Sequence, residues 1–92
     1  MAADQQGRVV GRVIECNTPT HCVTAHFKVS VLNAGWRTVA RTSTSGVHND
    51  YRLRLAAGNY QLVAQSSGLK CYASTTAVAH QTTRQDITCL VP

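Results

Sequence analysis

The chain is expected to fold as an all-β domain, a seven-stranded antiparallel sandwich held by two disulfides. Three observations carry that expectation. Apolar and polar side chains alternate with a period of two in several short segments, most cleanly in Tyr51-Arg52-Leu53-Arg54-Leu55. Turn-forming clusters recur at spacings of about 8–12 residues, the interval typical of sandwiches. Helical periodicity is absent, because every stretch long enough for a helix is cut by Gly, Pro or a Ser/Thr cluster.

Taken in order, Met1 to Gln6 is polar and is expected to form a disordered leader ahead of a single domain over residues 7–92. Gly7 to Glu15 is rich in β-branched residues and forms the first strand, with Val9, Gly11 and Val13 on one face and Val10, Arg12 and Ile14 on the other. Cys16-Asn-Thr-Pro-Thr-His-Cys22 contains proline and an Asn-Thr pair, and is expected to be a loop. Phe27, Val29 and Val31 alternate with Lys28 and Ser30 in a second strand that ends at the Asn33-Ala34-Gly35 turn.

Trp36 to Thr44 is a more polar strand, suited to an edge. Ser45 to Asp50 forms a loop before the strand Tyr51–Leu55. Ala56-Ala57-Gly58-Asn59 then turns the chain into Tyr60–Gln65, giving either a hairpin or a corner from one sheet to another. Two further strands follow, Cys71–Ala79 and Arg84–Val91, the last with Ile87, Cys89 and Val91 on one face.

A domain of this size buries only about 60–65% of the surface its unfolded chain exposes, so cross-links matter to it. Four cysteines in 92 residues fit two disulfides made in an oxidising compartment. Three pairings are possible. Local reasoning favours Cys16–Cys22, which staples a short loop, and Cys71–Cys89, which ties two neighbouring final strands. No Cys-x2-Cys or His-x3-His spacing occurs, and the four histidines are scattered, so neither a metal nor a cofactor is expected. No apolar run approaches the roughly 20 residues that span a membrane. The opening residues are too short and polar for a signal peptide, and the disulfides imply that an export leader has been removed, with Met1 introduced in cloning. Secreted or periplasmic localisation is the expectation.

Nine Lys and Arg against four Asp and Glu give a net charge of +5, which attracts polyanions. One Trp, one Phe and three Tyr are too few for the stacking platform of single-stranded nucleic-acid binders, so no specific nucleic-acid partner is expected.

The succession of Gly7-Arg-Val-Val-Gly-Arg-Val13, Phe27-Lys-Val-Ser-Val31, Val39 within its Thr/Ser run, Tyr51-Arg-Leu-Arg-Leu-Ala-Ala-Gly-Asn-Tyr-Gln-Leu62 and Thr83 to Thr88 resembles the carboxypeptidase regulatory-like domain. That domain belongs to the transthyretin-like, or prealbumin-like, group of Ig-like sandwiches. The match falls on Tyr51, Leu53, Leu55, Gly58, Tyr60 and Leu62; Asp50 stands where a glycine usually precedes the aromatic. The resemblance implies a non-catalytic module of bacterial surface or periplasmic proteins, or a folding partner of peptidases. Related repeats carry a Lys–Asn isopeptide bond. Here Lys28 and Lys70 are the only lysines and the final strand offers no asparagine, so none is expected.

The candidate binding residues are Arg37, Arg41, Arg52, Arg54, Trp36 and His21. The four arginines are expected to form a basic patch that grips phosphate, sulfate or carboxylate groups bidentately, against the plain alternative of a solvated outer face. Trp36 follows a turn, where it serves either as an exposed aromatic for a sugar or protein or as a cap on the core. His21 sits in the cysteine loop, by default exposed. No Gly-x-Ser-x-Gly turn or carboxylate pair supports catalysis, and no enzyme is expected. The expected function is therefore that of a non-catalytic module binding a protein partner or an anionic surface polymer. The alternative is a small exported inhibitor or accessory subunit that inserts the Cys16–Cys22 loop into an enzyme's cleft.

Overall fold

The computed structural model describes residues 5–18 and 20–90. Among them are nine strands and no α-helix: β1 (Gln6–Thr18), β2 (His21–Thr24), β3 (Lys28–Leu32), β4 (Thr38–Ser43), β5 (Asp50–Ala56), β6 (Gly58–Ser66), β7 (Leu69–Ala77), β8 (Thr82–Arg84) and β9 (Ile87–Leu90). They form two sheets. One has the order β4-β3-β6-β7 and is antiparallel throughout, with β4 at an edge as its polar sequence predicts.

The other sheet is organised around β1. Its first half pairs with β5 from Gln6↔Ala56 to Arg12↔Asp50, and its second half pairs with β2 from Ile14↔Thr24 to Thr18↔His21. On its opposite side β8 joins at Arg8–Val10 and β9 at Val13–Cys16, both parallel to it.

Several expectations are thereby corrected. There are nine strands rather than seven, and the second sheet is mixed rather than antiparallel. The two additions have separate causes. The stretch read as a loop after Glu15 instead continues β1 to Thr18 and returns as β2, a hairpin whose cross-strand pair Cys16↔Cys22 is the disulfide itself. The final strand, expected over Arg84–Val91, begins only at Ile87, and Thr82–Arg84 forms a separate short strand ahead of it, with Gln85-Asp86 between them. There the Gln85 amide donates to the Val10 carbonyl, the buried Tyr51 hydroxyl donates to the Gln85 carbonyl, and Asp86 accepts from the Arg12 amide at 2.9 Å. The first of these continues the parallel ladder, whereas the two side-chain bonds occupy the Gln85 carbonyl and the Arg12 amide and so end regular pairing there. β1 begins at Gln6, inside the stretch expected to be disordered; residues 1–4 and Val91 lie outside the described residues.

Both cysteine pairs are bonded as expected. The second differs in its role. Cys71 lies on β7 and Cys89 on β9, so the bond joins the two sheets instead of two neighbours within one.

The inward faces share one core. Val9, Val13, Leu53, Leu55 and Ile87 from the mixed sheet meet Val29, Val31, Leu62 and Ala64 from the other, with Phe27 and Tyr51 the bulkiest buried members. Burying each large apolar side chain contributes about 1.5–3 kcal/mol. The Ala56–Asn59 turn is a corner between sheets, since β5 and β6 belong to different ones. Tyr60 fixes it by donating its hydroxyl to the Ala56 carbonyl at 2.6 Å.

Gly11 is required where the chain leaving β8 packs closely against β1. A Cβ there would stand 2.0 Å from the Gln85 carbonyl oxygen, a contact no side chain survives without moving the backbone.

Candidate anion-binding face

Strand parity sets the outer face of the mixed sheet. Tyr51, Leu53 and Leu55 point into the core, so Asp50, Arg52 and Arg54 point out; Val9 and Val13 point in, so Arg8, Val10 and Arg12 point out. Cross-strand register then builds three rows. Thr82, Arg8 and Arg54 stand side by side; Arg84, Val10 and Arg52 form the next row; Arg12 and Asp50 form the third. Neighbours within a row lie ~4.8 Å apart and rows repeat every ~6.7 Å.

Five arginines therefore surround Val10, lining a shallow depression of about 650 Å³ together with Asp50 and Thr82. Two of the five are partnered. Arg12 donates through Nε to Asp50 at 2.9 Å, and the Arg84 guanidinium lies 3.3 Å from Asp86. Asp86 thus serves both the Arg12 backbone and the Arg84 side chain with the same oxygen, Oδ1. Arg8, Arg52 and Arg54 have no acidic partner among the described residues. Arg8 and Arg54 face one another directly across β1 and β5, an opposition of like charges that weakens a sheet.

Guanidinium groups at this density suit multivalent oxyanions. Each offers a planar fork of donors that matches two oxygens of a phosphate, sulfate or carboxylate, and an anion between Arg8 and Arg54 relieves their repulsion.

The structure redistributes the residues expected at such a site. Arg52 and Arg54 lie on this face. Arg41 lies on β4 opposite Ser30, and Arg37 lies in the β3–β4 turn, both on the other sheet. Trp36 shares that turn, and its side chain is exposed. His21 stands exposed on the β1–β2 hairpin, opposite Thr18 and away from the depression. Arg8, Arg12 and Arg84 replace the pair lost to the other sheet. The outward parity of Arg12 was legible in the sequence; the pairing of β1 with β5 and β8, which brings these arginines together, was not.

Among the described residues no three His, Cys, Asp or Glu side chains come together as a metal-holding group, and all four cysteines are in disulfides. Compared with protein-family models and with curated proteins, the chain finds no match.

Proposed function

We propose that this chain is a non-catalytic, secreted or periplasmic module of the prealbumin-like sandwich type, and that it binds an anionic surface polymer bearing sulfate or phosphate groups through the outer face of β8, β1 and β5. One observation carries the reading: Arg8, Arg52 and Arg54 stand together with no acidic partner among the described residues. Isolated surface charges are ordinary, but a cross-strand Arg–Arg pair costs the fold stability that a bound polyanion returns. The core shared by two sheets supports the sandwich assignment, and the two disulfides support an oxidising compartment.

The test is binding to a sulfated polysaccharide and to polyphosphate at about 50 and 200 mM salt. Three guanidinium contacts imply an affinity loss of roughly 10- to 100-fold over that range. Replacing Arg8 and Arg54 by Gln should weaken binding at least about tenfold, each charge-assisted contact being worth about 1.5–3 kcal/mol. The same double variant, R8Q/R54Q, should leave the free protein no less stable. Binding that ignores both salt and the double variant would refute the assignment. Loss of partner binding on reduction of Cys16–Cys22, without salt dependence, would instead favour an inhibitor acting through the β1–β2 hairpin.

A further inference from the structure

A second site lies on the other sheet and is independent of the arginine face. We infer that the groove beside Trp36 is a binding site for a neutral saccharide. Trp36 is 72% exposed and sits in the left-handed region, with φ at 62°. For a bulky residue this conformation is strained, and its position in a tight turn is one that glycine or asparagine fills without penalty. The turn is nevertheless firmly built. Asn33 Oδ1 accepts from the amides of Gly35 at 2.9 Å and Arg37 at 3.1 Å, the Trp36 amide donates to the Asn33 carbonyl, and the Asn33 amide donates to the Arg37 carbonyl. A flat indole is thus displayed to solvent at a cost in backbone strain, on a support that holds it in one place.

The indole borders a groove of about 330 Å³ whose other walls include Asn59, Gln61, Ser74 and Thr76. These four form two cross-strand pairs, Gln61↔Ser74 and Asn59↔Thr76, a spacing of ~6.7 Å apart along β6. The Ser74 hydroxyl donates to Gln61 Oε1 at 3.0 Å and the Thr76 hydroxyl to Asn59 Oδ1 at 2.8 Å. The carboxamide oxygens are occupied, so the amide N–H groups remain as donors and the hydroxyl oxygens as acceptors.

Among the described residues, none of those lining this groove is charged. A polyanion gains nothing there, and a charged peptide finds no counter-ion. A sugar ring instead offers an apolar C–H face for the indole and hydroxyls that both donate and accept, matching the mixed amide and hydroxyl array.

Trp36 is the only tryptophan in the chain, so intrinsic fluorescence reports on this site alone. Titration with maltohexaose, cellohexaose and hexa-N-acetylchitohexaose should give a saturable emission change with at least one of them, insensitive to salt. Gln61→Ala should weaken that binding about 5- to 10-fold, the loss of one hydrogen-bonding group. Trp36→Gly, followed by calorimetric titration, should abolish binding while raising Tm by about 4–8 °C, because the left-handed strain is relieved. A flat titration with all three saccharides, an affinity that survives Trp36→Gly, or a fall in Tm in that variant would each overturn the proposal. So would an emission change produced only by an apolar peptide or only by a sulfated polymer.

Discussion

Tyr51 shows how one side chain couples core, strand break and pH. Its ring is buried between the sheets, its hydroxyl donates to the Gln85 carbonyl, and its phenol is pushed far above the usual value of 10.0, first by burial and then by the nearby Asp86 carboxylate, with Arg84 opposing. In the unfolded chain the phenol loses its proton near pH 10, whereas in the folded protein it keeps it. The unfolded state therefore binds fewer protons above that pH, and stability falls as pH rises. Urea unfolding should show that decline beginning near pH 10, and Tyr51→Phe should flatten it while costing about 1 kcal/mol at neutral pH for the lost hydrogen bond. An unchanged pH profile in the variant would assign the effect to other groups. The sequence exposed Tyr51 as an inward residue of an alternating strand. Its acceptor, 34 positions away, was hidden because nothing local ties Tyr51 to Gln85.

Among the elements, those with strict period-two patterns were legible and those fixed by distant partners were not. Tyr51–Leu55, Phe27–Val31 and Tyr60–Gln65 alternate because one face of each is in the core, and all are strands at close to the expected limits. The end of β1 was missed because Asn17, Thr18 and Pro19 carry turn signals that pairing with β2 overrides up to Thr18. The start of the last strand at Ile87 instead of Arg84 was not legible because Asp86 bonds the Arg12 amide, 74 positions earlier. The candidate site suffered in the same way. Arg52 and Arg54 were visible as an outward pair, yet Arg37 and Arg41 go to the other sheet and Arg8, Arg12 and Arg84 arrive through pairing.

The disulfides also divide by element. Cys16–Cys22 closes a loop of 6 residues within a hairpin, and Cys71–Cys89 closes one of 18 between sheets. Chain-entropy reasoning gives about 2 and about 3 kcal/mol respectively. Replacing Cys71 and Cys89 by Ala should lower stability by the larger amount, or more because both sites are buried, whereas the Cys16/Cys22 double variant should lose less. Chemical denaturation of the two variants checks the order, and the reverse order would contradict the inter-sheet role given to the second bond.

At the scale of the molecule, charge and ligand chemistry are partitioned. The outer face of the mixed sheet carries five of the seven arginines, and the opposite sheet carries the uncharged Trp36 groove. The fold that separates them is closed late, since β1 receives β8 and β9 only after almost the whole chain has been made. A chain ending at Gln81 lacks Ile87 and Cys89 from the core and both parallel neighbours of β1. It should show no cooperative urea transition and no near-ultraviolet dichroism, and a native-like transition in that truncated chain would contradict the central place given to β1.

The parallel course of β1 and β9 has a mechanical consequence. Gln6 opens β1, and Leu90 closes β9 beside Cys16, ten residues and ~33 Å farther along the same direction. Tension drawn apart through those two strand ends slides the neighbours lengthwise, loading their hydrogen bonds together in shear rather than peeling them one by one. The Cys71–Cys89 bond anchors the sliding strand to the second sheet, so a pull along these strands meets a covalent stop as well as a ladder of hydrogen bonds.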